Sequence, residues 1–220
     1  MRPKSLIELI HMKDKRGKFI TFEGPEGSGK SSHIKLLVEY LEEKGIEVEI
    51  LREPGSTQIG EKIRQILLDT ASVAMVDTCE FYLYLAARSQ LIKEKIIPLL
   101  ESDKIIICDR FNDATVAYQI HAGNLPSFIM DGFNSYLDKE GVSPDLTLLL
   151  DVDAGVGLKR AASLHPADRI EKKGVEFHNQ VRQGYLELAR KYPERIKIIS
   201  SVGEMDEVQL KIREKVNEIL

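Results

Sequence analysis

The sequence predicts an α/β fold, a five-stranded parallel sheet flanked by helices in three layers, and three observations carry that expectation. Five strand-sized apolar segments alternate with segments whose apolar residues recur at helical spacing, the pattern of strands buried by helices on both faces. The run Gly24-Pro25-Glu26-Gly27-Ser28-Gly29-Lys30-Ser31 falls between the first strand and the first helix, and it spells the phosphate-binding loop G-x-x-x-x-G-K-[ST]. This loop, Arg52 and Asp109-Arg110 all fall where strands end, at the edge where ligands of such sheets gather. Together these predict the P-loop NTPase fold.

Each element follows from its local pattern. The first strand, 18–22, is the β-branched and aromatic run Lys18-Phe19-Ile20-Thr21-Phe22. The helix after the loop covers 32–44, with Ile34, Leu37, Val38 and Leu41 on one face. A second strand at 46–51 leads into Arg52-Glu53-Pro54-Gly55-Ser56, whose proline and glycine mark a loop. Helical spacing resumes at 58–68 and again at 79–100, the latter long and mostly apolar, suited to cross a core or an interface. A third strand, 104–108, precedes helical stretches at 114–120 and 127–138. The fourth strand, 145–151, is nearly continuous in leucine, as a parallel strand covered on both faces should be. A helix at 154–162, a polar basic stretch at 163–173, a helix at 176–191, a strand at 196–199 and an amphipathic helix at 206–220 complete the chain.

The 220 residues suit one such domain, and 43% hydrophobic with 30% charged residues is ordinary for a soluble protein. A net charge of −4 argues against a general grip on nucleic acid. No apolar run approaches the ~20 residues that span a bilayer, so no membrane partner is expected. Cys79 and Cys108 match no metal spacing, and their apolar neighbours predict buried free thiols in a reducing cytoplasm. Arg2, Lys4, Lys13, Lys15 and Arg16 give the first 17 residues a basic character. They read as a flexible or loosely docked arm before a single domain at 18–220, with Met12 as an alternative start.

The loop predicts a nucleoside triphosphate site, with backbone amides around the phosphates, Lys30 on the outer ones and the Ser31 hydroxyl on Mg²⁺. A guanine-reading Asn-Lys-x-Asp is missing from the sequence, which disfavours a switch GTPase, and motor ATPases usually need a longer chain. A kinase for a small phosphorylated acceptor needs a second anion site, and candidate arginines are present.

At this point the chain resembles the thymidylate kinases, over nearly all of 18–220. The resemblance rests on Phe22-Glu23-Gly24 running into the loop, then Arg52-Glu53-Pro54-Gly55, Ala86-Ala87-Arg88, Asp109-Arg110-Phe111 and Ala117-Tyr118-Gln119. Pro144-Asp145 leading into the fourth strand, and Asp168-Arg169-Ile170-Glu171, complete it. It implies transfer of the ATP γ-phosphoryl group to dTMP in the cytoplasm by a Mg²⁺-dependent homodimer. On the ATP side it implies Gly24, Pro25, Glu26, Gly27, Ser28, Gly29, Lys30, Ser31 and Ser32. For the metal it implies Ser31 and Asp109, the latter through water. On the dTMP side it implies Glu26, Arg52, Pro54, Tyr84, Arg88, Arg110, Thr115, Tyr118 and Gln119. Tyr84 would stack on thymine, Arg88 would reach its carbonyl, and Arg110 would grip the phosphate. Tyr84 and Arg88 also stand four apart, on one helix face.

The resemblance further implies a basic lid at about 160–173, carrying Lys159, Arg160 and Arg169. Related enzymes place further arginines where this chain has Ala162 and Leu164, or inside the loop where it has Ser28. The catalytic set implied is therefore Lys30, Arg110, Arg160 and Arg169. Ser56 stands where glycine is common, Ala114 where serine is, and Ile120 where glycine is. These departures keep two alternatives open, a related pyrimidine monophosphate kinase and a weakly active nucleotide-binding regulator.

Overall fold

A computed structural model describes residues 16–220. Its strands β1 (Phe19–Glu23), β2 (Val48–Arg52), β3 (Ile105–Asp109), β4 (Leu146–Asp151) and β5 (Ile196–Ser200) form one parallel sheet in the order β2-β3-β1-β4-β5. The five-stranded, helix-flanked architecture expected from the sequence is the one observed. Strand β1 is buried along its whole length, and its alternation divides the core. Ile20 and Phe22 pack with Leu37, Leu41, Leu148 and Ile212 on one face, while Phe19 packs with Leu91, Ile92, Ile106 and Phe111 on the other. Register sets Asp109 beside both Phe22 and Arg52, so the strand ends expected to hold ligands are level.

The helices are α1 (Lys30–Glu43), α2 (Gln58–Leu68), α3 (Asp77–Leu91), α4 (Ile97–Glu101), α5 (Asn112–Thr115), α6 (Asp131–Glu140), α7 (Ala154–Ala162), α8 (Val175–Lys191) and α9 (Met205–Asn217). The long helix expected at 79–100 is not a uniform α-helix. Helix α3 passes through a π turn, Ile92–Ile96, into α4. Pro98 cannot donate to the helical ladder and its ring crowds the carbonyl four residues earlier; the widened turn just before it relieves both. A second π turn, Val116–His121, follows the single turn of α5 where a helix over 114–120 was expected. The stretch at 127–138 begins as a 3₁₀ turn, Ser127–Met130, before α6.

Cys108 is buried as expected, but Cys79 is exposed. Its helix turns Glu80, Phe81 and Leu85 inward, which leaves Cys79 on the outer face despite its apolar neighbours in sequence. The expected basic arm and Met12 lie outside the described residues except for Arg16 and Gly17. Those two are fixed to the domain: Arg16 donates to the Gly141 carbonyl at 2.8 Å and pairs with Asp145 at 3.2 Å, and the Gly17 amide donates to the Leu100 carbonyl.

Candidate active site

The chain leaves β1 at Glu23 and re-enters regular structure at Lys30, the first residue of α1. Gly27 has φ +64°, and a Cβ there would sit 1.9 Å from the Gly157 carbonyl of α7, so only glycine fits between loop and helix. Gly29, at φ +87°, is the residue before the helix, and it turns the chain so that the first helical amides face back into the loop. Lys30 Nζ lies among loop acceptors, 3.1 Å from the Gly24 carbonyl, 3.0 Å from that of Pro25 and 3.3 Å from Ser28 Oγ. Burial, with Arg110 adding to it, lowers Lys30 to about 8 against the opposing pull of Asp109 and Glu26. Ser31 and Ser32 are exposed on the first turn of α1.

Sheet register delivers Arg110 beside this loop. Its amide donates to the Phe22 carbonyl at 2.9 Å, and its backbone is left-handed, φ +70°, an uncommon state for a residue with a side chain. The guanidinium donates to the Gly24 carbonyl and to Glu26 Oε1, both at 2.8 Å, and Tyr118 donates to the same Glu26 oxygen at 2.8 Å. Burial alone would raise Glu26; Arg110, Lys30 and Tyr118 outweigh it and hold this carboxyl at about 2. Beneath them, the fully buried Glu23 accepts from the Phe111 amide and from Tyr185, each at 2.7 Å. Tyr185 in turn accepts from Arg110 at 3.2 Å. Burial and the neighbouring Asp113 lift Glu23 to about 8. The strained turn at Arg110 is thus held at its backbone and at its side chain.

Behind Glu26 and Arg110 opens a cavity. Of the residues expected on the dTMP side, Glu26, Pro54, Tyr84 and Arg88 line it, and so do Arg110, Thr115, Tyr118 and Gln119. Arg52 does not; it lies half exposed and pairs with Glu61 at 2.8 Å. Arg88 is 1% exposed and donates to Glu53 Oε2 at 2.6 Å, to Thr115 Oγ1 at 2.9 Å, to the Phe111 carbonyl at 3.0 Å and to Asn112 Oδ1 at 3.3 Å. Burial lifts Glu53 to about 7 even against the pull of Arg88.

Arg64 and Asp168 also line the cavity, and sequence reading gave them no role. A signal for Arg64 was present. It stands in line with Gly60 and Leu67, the buried stripe of α2, where a cation is out of place unless something faces it.

The two arginines expected on a lid land in different places. Arg160, exposed at the end of α7, makes one long contact, 3.3 Å to the Ser201 carbonyl. Its helix is the one whose Gly157 backs the phosphate loop. Arg169 instead packs against α2 and α3, donating to the Leu67 carbonyl at 2.7 Å and pairing with Glu80 at 2.7 Å. It is set by a closed turn: Asp168 Oδ1 accepts from the amides of Ile170 and Glu171, and the Glu171 carboxylate accepts from the amide of Asp168, a capping box. Ser56, which stands where glycine is common, has φ +62°, a glycine-like backbone. Its Oγ accepts from the Arg52 amide and its own amide donates to Glu61, both at 2.8 Å, which offsets a strain of about 1 kcal/mol.

Comparison with known proteins agrees with this geometry. A family model described as Thymidylate kinase matches residues 22–212. The chain is 43% identical over 202 residues to the thymidylate kinase of Symbiobacterium thermophilum, covering 92% of this chain and 94% of that protein. It is 44% identical over 203 residues to that of Geotalea daltonii, covering 89% and 94%. The crystal structure of thymidylate kinase from Ehrlichia chaffeensis superposes with a TM-score of 0.74 at 32% identity, over 91% of this chain and 98% of that one. A match of this extent, on a sheet whose carboxyl edge carries the phosphate loop and the arginine-lined cavity side by side, is decisive: the chain belongs to the thymidylate kinase family.

Proposed function

We propose that the chain transfers the γ-phosphoryl group of ATP to dTMP, giving dTDP and ADP, across the junction between the phosphate loop and the cavity. The observation that carries this reading is the pair Arg110–Glu26, which belongs to both sites at once. The acceptor oxygen sits on an ionised phosphate, so the chemistry needs alignment and charge neutralisation more than a base. Lys30 and the loop amides hold the donor phosphates. Arg110, with Arg64 in the same cavity, holds the acceptor phosphate. Glu26 stays ionised beside Arg110 and Tyr118, on the side where the sugar of dTMP would lie. Tyr84 covers the base, and Arg88 and Gln119 read its edge. Arg160 supplies the lid cation on the donor side, while Arg169 braces the acceptor side.

Mg²⁺ fits the residues present. Asp109 Oδ1 is buried with no partner among the described residues, and the Ser31 hydroxyl is exposed at the loop's end. No group of three or more His, Cys, Asp or Glu among the described residues could hold a metal, so an ion here would take most of its oxygens from phosphates and water. It would screen charge on the triphosphate when bound.

The same reading makes 18–220 one domain with its lid at about 160–173. It also makes the protein a homodimer built on α3, where the exposed Tyr82 flanks an open groove with Leu85, Phe133 and Tyr136; sedimentation velocity tests this. Among the described residues no helix is long and apolar enough to cross a membrane, and a cytoplasmic place, tested by cell fractionation, is proposed. The activity is tested by ADP release with dTMP, dUMP, UMP, CMP and dGMP. Preference for dTMP is expected. ATP binding without dTMP turnover contradicts the proposal.

A further inference from the structure

Glu80 is 2% exposed and stands one helical turn before Tyr84 on α3, yet it does not line the cavity. Donors from two other segments converge on it. Gln119 Nε2 donates to Oε1 at 2.8 Å, Lys173 Nζ lies 3.3 and 3.2 Å from the two oxygens, and Arg169 Nη2 is 2.7 Å from Oε2. Burial would raise this carboxyl, but Gln119, Lys173 and Arg169 prevail and hold it below the usual range. It is therefore an ionised group, able only to accept. That fixes the Gln119 side chain: its N–H₂ end must face Glu80. Its carbonyl end, Oε1, has no hydrogen-bond partner among the described residues, and Gln119 lines the cavity.

We propose that Glu80 is the positioning residue that makes the cavity select pyrimidines bearing an N3–H, by locking the Gln119 amide with its carbonyl oxygen toward the base. Thymine and uracil offer a donor at N3; cytosine offers a lone pair there, which would face the Gln119 oxygen acceptor to acceptor. Such a mismatch leaves two buried groups unpaired and discriminates more strongly than a simple lost bond. Lys173 and Arg169 come from the segment expected to form the lid, so the filter is supported by charges outside the base pocket. The proposal deepens the acceptor reading given above and rests on it. A carboxylate serving only to anchor the lid segment would, on removal, weaken every acceptor alike.

The test uses the full chain with saturating ATP and reads the ratio of the inhibition constant of dCMP to the KM of dTMP. Glu80→Gln keeps the shape but lets the facing amide turn either way. The ratio is expected to fall by about tenfold or more, the scale of one mismatched polar contact. A ratio within about twofold of the parent, or equal weakening of both nucleotides, overturns the positioning role. Gln119→Leu is measured alongside. If it lowers the ratio while Glu80→Gln does not, the acceptor reading stands and the role of Glu80 fails; if neither moves the ratio, both fail. Should Glu80→Gln not fold by circular dichroism, Lys173→Met with Arg169→Met removes the charges that keep Glu80 ionised. That pair must lower the same ratio, and an unchanged ratio overturns the proposal.

Discussion

The phosphate loop and the arginine-lined cavity meet at Glu26 and Arg110, but they are built in opposite ways. The loop is one unbroken run, and its work falls to backbone: glycines at φ +64° and +87° and amides at the start of α1. The cavity is made of side chains gathered from the phosphate loop to the segment before α8, and its charges are paired, as Arg88 with Glu53 and Arg110 with Glu26. A backbone site tolerates most substitutions that spare its glycines. A side-chain site of buried ion pairs is brittle, because removing one partner strands the other.

The sharpest contrast is in stability. Arg88→Met strands the Glu53 carboxylate and should cost about 3 kcal/mol in denaturant unfolding, the scale for breaking a buried pair. Glu53 already sits raised at about 7, and without Arg88 it rises further above its unfolded value. The carboxyl that remains then favours the folded state more as it protonates, so the deficit should narrow as pH falls from 8 toward 5. A deficit below about 1 kcal/mol at every pH would mean that the cavity is no more brittle than an exposed surface.

Activity tests the meeting point from both sides. Lys30→Ala and Arg110→Ala should each lower kcat/KM by about 10²-fold or more, through lost stabilisation of the charge on the transferred group. Arg110→Ala should also raise the KM of dTMP. Near-parent turnover in either variant removes that residue from the shared track.

The pH response separates the two sides further. Lys30 has its pKa lowered to about 8, so its ammonium is lost as pH rises through that value. The log of kcat/KM for ATP should bend downward above about pH 8, and the limb in kcat should lie higher, because a bound triphosphate favours the charged lysine. The stability linkage has the opposite direction. Between about 8 and the ordinary lysine value, the unfolded chain binds more protons, so this group's contribution to stability rises with pH. Coincident limbs in kcat and kcat/KM would contradict close contact between Lys30 and the donor. Smaller effects, about tenfold, are expected at the lid: Arg160→Ala in kcat, Arg169→Ala in the KM of dTMP. Reversed effects would exchange their sides.

Legibility in sequence follows the same division. The phosphate loop was readable because its chemistry is contiguous. Tyr84 and Arg88 were readable because i,i+4 spacing survives folding as a shared face. The strands fell within one or two residues of their expected places: central β1, β3 and β4 leave nearly unbroken apolar runs, and the half-exposed edge strands β2 and β5 still carry Val and Ile between their charged residues. Glu23 with Tyr185, 162 positions apart, and Arg169 with Glu80 join segments that only the fold brings together. No local period announces them. The π turns at Ile92–Ile96 and Val116–His121 were equally hidden, because apolar spacing does not register a widened turn. Arg169, one of the catalytic cations the resemblance implies, lies against Glu80 and the Leu67 carbonyl, a position that depends on the capping turn around Asp168 and Glu171.

The central claim is that loop and cavity form one continuous phosphate track joined at Arg110 and Glu26. A dinucleotide carrying adenosine and thymidine at the ends of a five-phosphate chain spans such a track, and calorimetric titration measures its affinity directly. Linking the two ligands should lower Kd by about 10²-fold or more relative to the tighter of ATP and dTMP, the gain expected when the second contact becomes intramolecular, and Arg110→Ala should abolish most of that gain. An affinity no better than that of ATP alone would contradict the claim.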